Sequence, residues 1–289
     1  MDGSTARSPS GSRPVSAEAP AQAPDLRDTL FAPLAGRVYA AEITACAAGV
    51  LAGARRLSER AAEMGLAIEW LAGEGDRVAS DDRVCRLRGN AWEIARAEEM
   101  LVGSVAKPSG VATAAAALVA GAGGRARVVC GAWKKVPPES RTELRAAIGA
   151  GGAAMRILDR PFVYLDKNYV RMLGGVGPAV RRARFVEGRA VVVQIRGETA
   201  SVADEAALAA AEGADVVMVD TGEVADLAAV VSRLGHGHVV VAFGGGVTAA
   251  TLERVIAAGA QVVDVGRAIV DAPLLDFRFD VVTRVGPWS

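Results

Sequence analysis

The chain has 289 residues, 51% of them hydrophobic, and its 33 Lys and Arg offset its 33 Asp and Glu to a formal net charge of +0. A chain of this length buries a large core and has room for two domains. The neutral balance gives no long-range field to gather nucleic acid or to hold the chain on an anionic membrane, so any anion has to be bound by local groups.

The first 25 residues are rich in Ser, Pro and Ala, lack the apolar stretch of a signal peptide, and read as a disordered tail. No run of about 18 consecutive apolar residues follows, so no membrane span is expected and a cytoplasmic address is the default. Residues 38–53 read as paired strands, residues 57–65 as a short helix ended by Gly65, and residues 82–90 as a strand and a turn. Residues 91–122 have helical periodicity, and Pro108 is expected to break them into two helices because proline lacks the N–H donor and clashes with the preceding turn. Ser140 and Glu143 have capping-box spacing. Cys46, Cys85 and Cys130 are odd in number, widely spaced and set among apolar residues, which reads as buried free thiols.

The C-terminal half is more regular. Four apolar runs stop at polar or glycine residues: AVVVQI at Gln194, DVVMVD at Asp220, HVVVAFGGG at Gly244, Gly245 and Gly246, and QVVDVG at Gly266. Helical stretches lie between them, at 201–213, 223–234 and 248–259. Ser201 with Asp204 has the capping signal, Thr248 is a candidate N-cap, and Gly213 and Gly259 are placed to end their helices in the left-handed conformation. Unbroken Val runs fit a parallel sheet covered on both faces. In a parallel β/α barrel the chemistry sits at the C-terminal rim, so the residues that end these runs are candidates by position. His236 and His238 precede a strand and are expected on the opposite face. The pattern predicts an α/β chain in which an N-terminal α/β sandwich domain (26–110) precedes a parallel β/α barrel, complete or incomplete (111–275). Residues 276–289 are expected to return to the N-terminal domain.

The order GEGDRV, ARAEE, PSGVAT, KKVPPESR, AGGAAMR, VDTG, FGGGV and DVGRAIVDAPLLDFRFD across residues 25–282 resembles the quinolinate phosphoribosyltransferase family, also called nicotinate-nucleotide pyrophosphorylase (carboxylating). The resemblance implies transfer of phosphoribosyl from phosphoribosyl pyrophosphate (PRPP) to a nitrogen heterocycle, with loss of pyrophosphate and CO2. It also implies Mg2+ and a homodimer in which one subunit completes the other's site. Lys134 matches the lysine of the family's Thr-Arg-Lys motif, on pyrophosphate or 5′-phosphate. Asp220 matches the acidic residue near ribose or metal. Gly244, Gly245 and Gly246 match the 5′-phosphate loop, Gly266 with Arg267 the second phosphate turn, and Arg156 an arginine lining the acceptor pocket. That chemistry needs cations and turn N–H groups on the phosphates and a carboxylate by the ribose.

The acceptor half departs from the family. Trp133 stands where the family has the arginine of Thr-Arg-Lys, and Met155 where it has a histidine. Asp166, Lys167, Asn168 and Tyr169 replace Lys-Asp-Asn-His. Lys107 replaces the arginine donated by the partner subunit, and Gln194 a glutamate. A pyridine dicarboxylate needs several cations to offset desolvation. These departures point to an acceptor other than standard quinolinate: an aromatic or heterocyclic molecule that is flatter, more apolar, or neutral to cationic, with Tyr169 placed to stack on its ring. A carboxylating quinolinate enzyme using Lys107, Lys135, Arg156 and Lys167, and a non-catalytic phosphate-binding relative, are the alternatives. Plainer roles compete at single positions: Asp220 as a cap for the following helix, Arg156 and Asp166 as an ion pair, and Trp133 as packing.

Overall fold

The computed structural model describes residues 25–235 and 237–282. The expected tail, except Asp25, and His236 lie outside the described residues. Helix α1 (Leu26–Phe31) leads into an antiparallel four-stranded sheet of β1 (Val38–Ala45), β3 (Ala67–Trp70), β5 (Arg83–Asn90) and β12 (Phe277–Val282), in the order β12-β1-β5-β3. A second small sheet pairs β2 (Gly49–Val50) with β4 (Arg77–Val78). Residues 38–53 therefore do not form a hairpin. β1 pairs with β5 and β12, while the chain crosses to β4 with β2, because Gly49 and Val50 are drawn to helix α3 through the Val50 N–H bond to Thr113 Oγ1 (2.9 Å). Helix α2 (Ala54–Glu63) packs beneath and is followed by left-handed Gly65 (φ 78°).

Helix α3 (Ala91–Ala122) is continuous, and the expected break at Pro108 does not occur. Asn90 and Glu93 form a reciprocal capping box at its start. Around Pro108 the helix is tied from outside: Leu275 N–H donates to the Ala106 carbonyl (3.0 Å), and the Ser109 hydroxyl exchanges bonds with the backbone of Ala52. These contacts hold the local helix loss that proline imposes within a packed segment. Gly110 permits the approach, since a Cβ there would lie 1.9 Å from the Pro273 carbonyl oxygen. By length and hydropathy α3 passes for a membrane span. Its buried residues instead pack two cores: Ile94, Ala97, Leu101 and Val105 with the antiparallel sheet, and Val111, Ala112, Ala115 and Leu118 with the barrel.

The second unit is a curved six-stranded sheet in the order β6-β11-β10-β9-β8-β7, made of β6 (Arg127–Val129), β7 (Phe162–Leu165), β8 (Ala190–Ile195), β9 (Val216–Val219), β10 (Val240–Gly244) and β11 (Val262–Asp264). All of its pairings are parallel. The barrel is incomplete, because among the described residues a single bridge from Val129 to Ala154 extends the sheet beyond β6 and no ladder joins β6 to β7. Helices α4 (Arg141–Ala150), α5 (Lys167–Met172), α6 (Val176–Ala183), α7 (Val202–Ala211), α8 (Val224–Leu234), α9 (Ala249–Ala257) and α10 (Arg267–Val270) connect the strands. The Val-rich strands are buried on both faces, one side packing the helices and the other a smaller inner cluster that includes Val192, Val216, Met218 and Ala242. Ser201 accepts from the Asp204 N–H as expected, and Gly213 and Gly259 follow their helices at φ 94° and 100°.

Two local expectations need correction. Ser140 makes no side-chain cap, because the 3-10 turn Pro138–Ser140 runs straight into α4 and leaves Ser140 helical (φ −89°, ψ −9°) rather than extended. Cys85 and Cys130 are buried free thiols, with burial raising them to about 12 and about 11, but Cys46 is only half-buried.

Candidate active site

A cleft of about 610 Å³ opens at the C-terminal ends of the six parallel strands. Each strand delivers a wall residue. The 3-10 turn after β6 (Ala132–Lys135) brings Lys134 and Lys135, β7 brings Tyr164, β8 Gln194, β9 Met218 and Asp220, the β10 turn Gly245 and Gly246, and β11 Asp264 with Gly266 and Arg267 beyond it. The expectation that chemistry gathers on this rim is met by geometry, because every strand runs the same way and each C-terminal residue emerges on one face.

Asp220 is the most engaged of these groups. Gln194 Nε2 donates to its Oδ2, and Arg196 Nη1 donates to the same oxygen at 2.8 Å. Gln194 is itself oriented, since its Oε1 accepts the Lys167 N–H at 2.7 Å. Asp220 does not cap the next helix; that backbone contact is made by the Thr221 hydroxyl, which accepts from Glu223 N (3.2 Å). Across the cleft, Asp264 accepts the Gly131 N–H at 2.9 Å. Burial holds its carboxyl above the usual carboxylate range, with repulsion from Asp220 adding to the effect and the Gly131 bond, Lys134 and Lys135 opposing it. Burial, helped by Asp264, Asp220 and Asp166, pushes the Tyr164 phenol well up, so its hydroxyl stays protonated as a donor. The Lys134 ammonium lies 5.7 Å from the Tyr164 ring centroid.

Two glycine turns face these cations. Gly245 (φ 103°) and Gly246 (φ 74°) lead to Thr248, which caps α9 with Thr251. Gly245 passes so close to the β9 turn that a Cβ would lie 2.8 Å from the Gly222 nitrogen. Gly266 opens the second turn, where the exposed Arg267 pairs with Asp271 at 3.0 Å. Gly244 is buried at the end of β10 and lies behind the cleft wall; a Cβ there would reach 2.7 Å from the Met218 methyl.

Two lysines and two glycine turns are groups suited to a polyanion, and two carboxylates lie between them. The match to known families decides what it is. Residues 111–280 match the family described as quinolinate phosphoribosyl transferase, C-terminal domain, and residues 28–109 match its N-terminal domain. The chain belongs to the quinolinate phosphoribosyltransferase family. By that membership it is an enzyme of phosphoribosyl, and hence pentosyl, transfer. It is 30% identical over 240 residues to the human nicotinate-nucleotide pyrophosphorylase (carboxylating), covering 82% of this chain and 80% of that one. It is 31% identical over 220 residues to the probable enzyme of the same name from Archaeoglobus fulgidus, covering 72% and 81%. The structure of the nicotinate-nucleotide pyrophosphorylase from Francisella tularensis shares the fold, with a TM-score of 0.75 at 22% identity over 89% of this chain and 94% of that one.

Within this phosphoribosyltransferase, the residues expected on the phosphate side come together, but most of those expected on the acceptor side do not. Trp133 and Met155 turn away from the cleft and share Arg145, whose guanidinium lies 4.9 Å from the indole and whose Nε lies 3.4 Å from the Met155 sulfur. Both pack on the barrel core, which supports the plainer packing role. Arg156 is exposed, 5.3 Å from the Phe162 ring at the open edge of the sheet, and makes no ion pair with Asp166. Asp166 caps α5 instead, accepting from Asn168 N (2.8 Å) and Tyr169 N (3.1 Å). This cap carries Tyr169 outward, where it is 52% exposed and does not line the cleft. Lys107 donates to the Ala272 carbonyl (2.6 Å) and lines a separate groove with Arg56 and Arg60. His238 sits before β10, at the opposite end of the strand from the cleft.

Sequence reasoning missed Tyr164, Asp264 and Arg196. Each carried a signal: a phenol and a carboxylate standing inside otherwise apolar runs, and a cation two residues past Gln194 on the same strand end.

Proposed function

We propose that the chain transfers phosphoribosyl from PRPP to the ring nitrogen of an aromatic or heterocyclic acceptor other than standard quinolinate, releasing pyrophosphate. The observation that carries the transfer is the single cleft that brings Lys134, Lys135 and the Gly245–Gly246 and Gly266 turns around Asp220. Lys134 and Lys135 stabilise the departing pyrophosphate, the turns hold the 5′-phosphate, and Asp220 orients the ribose as positive charge develops on its anomeric carbon. No side-chain nucleophile is required, and positioning with charge stabilisation supplies the rate.

Among the described residues no cluster of three or more His, Cys, Asp or Glu side chains forms a protein cage for a metal. Asp220 and Asp264 fit Mg2+ carried in by the substrate, because that ion takes one or two carboxylates beside phosphate oxygens and water. When bound, it would neutralise pyrophosphate charge. A homodimer that brings Lys107 to the partner's cleft, and a cytoplasmic location, complete the reading. Non-quinolinate specificity is supported by Trp133, Met155 and Arg156, none of which offers a cation to the cleft. The human relative's carboxylating activity favours quinolinate as the second reading.

Calorimetry with PRPP and Mg2+, with and without quinolinate, tests this proposal. Tight PRPP binding with no response to quinolinate is expected. Turnover of quinolinate would establish the carboxylating enzyme, and absence of PRPP binding would leave a non-catalytic relative.

A further inference from the structure

We infer that Tyr164 is the specificity-determining residue of the cleft and that its hydroxyl donates to a neutral carbonyl on the acceptor, as in a carboxamide or a ring amide. The inference rests on the phosphoribosyl-transfer reading and supplies the acceptor class which that reading leaves open. Side chains alternate along β7: Val163 and Leu165 pack against the outer core, whereas Phe162 and Tyr164 turn onto the inner cluster of Val192, Val216 and Met218. Tyr164, nearer the C-terminal end of the strand, lines the cleft. Its hydroxyl makes no hydrogen bond among the described residues and is not sealed in the core. A half-buried phenol normally has a partner for its O–H, and the side open to this one is the cleft, so the donor faces whatever the cleft holds.

The sugar phosphate has other partners. In the sheet order β6-β11-β10-β9-β8-β7, the two lysines follow β6, the glycine turns follow β11 and β10, and Asp220 follows β9, whereas Tyr164 stands on β7 at the opposite edge from β6. The heterocycle, which must meet the anomeric carbon on the face that pyrophosphate leaves free, is the ligand left for β7. Charge then decides what the hydroxyl can meet. Asp264, Asp220 and Asp166 all act on the phenol, each opposing its ionisation. Arg196 offsets Asp220, but among the described residues Asp264 and Asp166 make no ion pair; they accept backbone N–H groups, of Gly131 and of Asn168 and Tyr169. The cations on this side are Lys134, 5.7 Å from the Tyr164 ring centroid, and Lys135, both assigned to pyrophosphate. A ligand carboxylate at Tyr164 would stand among like charges with no cation to spare, whereas a neutral carbonyl takes the O–H without that repulsion.

The test is calorimetry on the full chain with PRPP and Mg2+ first, followed by nicotinamide or nicotinate as probes, using the wild type and Tyr164→Phe. Phenylalanine keeps the ring that rests on the inner cluster and meets Lys134, so the variant should fold, and its melting temperature checks this. Nicotinamide is expected to bind the wild type about tenfold or more tighter than nicotinate, because the acid alone brings a charge among the carboxylates. Tyr164→Phe is expected to weaken nicotinamide by about two- to tenfold, the worth of one neutral hydrogen bond, and to leave nicotinate and PRPP affinities as they are. Nicotinate binding as tightly as nicotinamide overturns the neutral-carbonyl rule. A Tyr164→Phe variant that binds nicotinamide like the parent, or that instead loses PRPP affinity, overturns the role given to the phenol while leaving the wild-type PRPP site standing. Absence of PRPP binding to the wild type removes the transfer reading, and this proposal falls with it.

Discussion

Arg196 Nη1 lies 2.8 Å from Asp220 Oδ2, the same oxygen that the Gln194 amide reaches. Two donors converge on one carboxylate oxygen, and one of them is itself fixed by the Lys167 N–H. The Asp220 carboxylate therefore keeps its rotamer and has a cation beside it before any ligand arrives.

Gln194→Glu tests that arrangement. A carboxylate at 194 would face Asp220 without a donor, and like charges in contact raise the pKa of the pair. A raised folded-state pKa makes the cost fully present above that pKa and relieves it as pH falls towards the unfolded value, where the native state takes up a proton first. The variant is expected to melt below the parent at neutral pH, with the gap closing on acidification. A pH-independent gap, followed by calorimetric or dichroism melting, would show that the two side chains do not couple.

Lys134→Ala and Asp220→Ala separate binding from turnover. Lys134 is exposed and its side chain meets only the Tyr164 ring and the charge of Asp264 among the interactions of the described residues, so its removal changes stability by no more than about 1 kcal/mol. PRPP affinity should fall by about tenfold or more, as expected for loss of a charge-assisted contact to phosphate. Asp220→Ala should lower turnover with less effect on PRPP affinity, because its contribution grows as charge develops on the ribose. Calorimetry with steady-state kinetics on both variants checks this, and parent-like behaviour in both would refute the site assignment.

Much of this site is legible in the sequence because the barrel strands are Val-rich runs that end where the chemistry begins. Gln194, Asp220, the Gly245–Gly246 turn and Gly266 follow from that pattern alone. β6 and β7 escape it although β11 and β9 are no longer, because RVV opens on a charged residue and FVYL carries a phenol, so neither shows an unbroken Val run, and Tyr164 goes unread with β7. Asp166, Trp133 and Met155 point away from the cleft for a different reason. Motif alignment assigns a position but not a direction, and Asp166 is claimed by the α5 N-terminus while Trp133 and Met155 are claimed by Arg145. Pro108 misled because the bonds that sustain α3 come from Ala52 and Leu275, which are distant in sequence.

Gly245→Ala probes the phosphate turn. The residue sits at φ 103°, where an L side chain is strained, and its Cβ would press on the Gly222 backbone, which cannot rotate away. The expected cost is about 1–3 kcal/mol of stability, together with loss of PRPP binding as the turn shifts. Gly246→Ala shares the positive φ but meets nothing within 4 Å, so it should cost less. Equal melting temperatures for the two variants would show that the contact between the β9 and β10 turns does not matter.

Asp264→Asn is expected to stabilise the fold while impairing the enzyme. Burial keeps the Asp264 carboxyl above its usual range, so at neutral pH the folded chain holds an ionised group in a place that disfavours it. The asparagine oxygen can still accept the Gly131 N–H, and repulsion from Asp220 disappears. Because the folded pKa is raised, the wild type bears this penalty fully above that pKa and sheds it as pH falls to the unfolded value, around 3.8. The variant should therefore melt above the wild type at neutral pH, and the two curves should converge on acidification. A wild type that remains the more stable at neutral pH would mean that Asp264 is stabilised as an anion by Lys134 and Lys135. A gain in stability with a loss of turnover marks a carboxylate kept for chemistry at the expense of the fold.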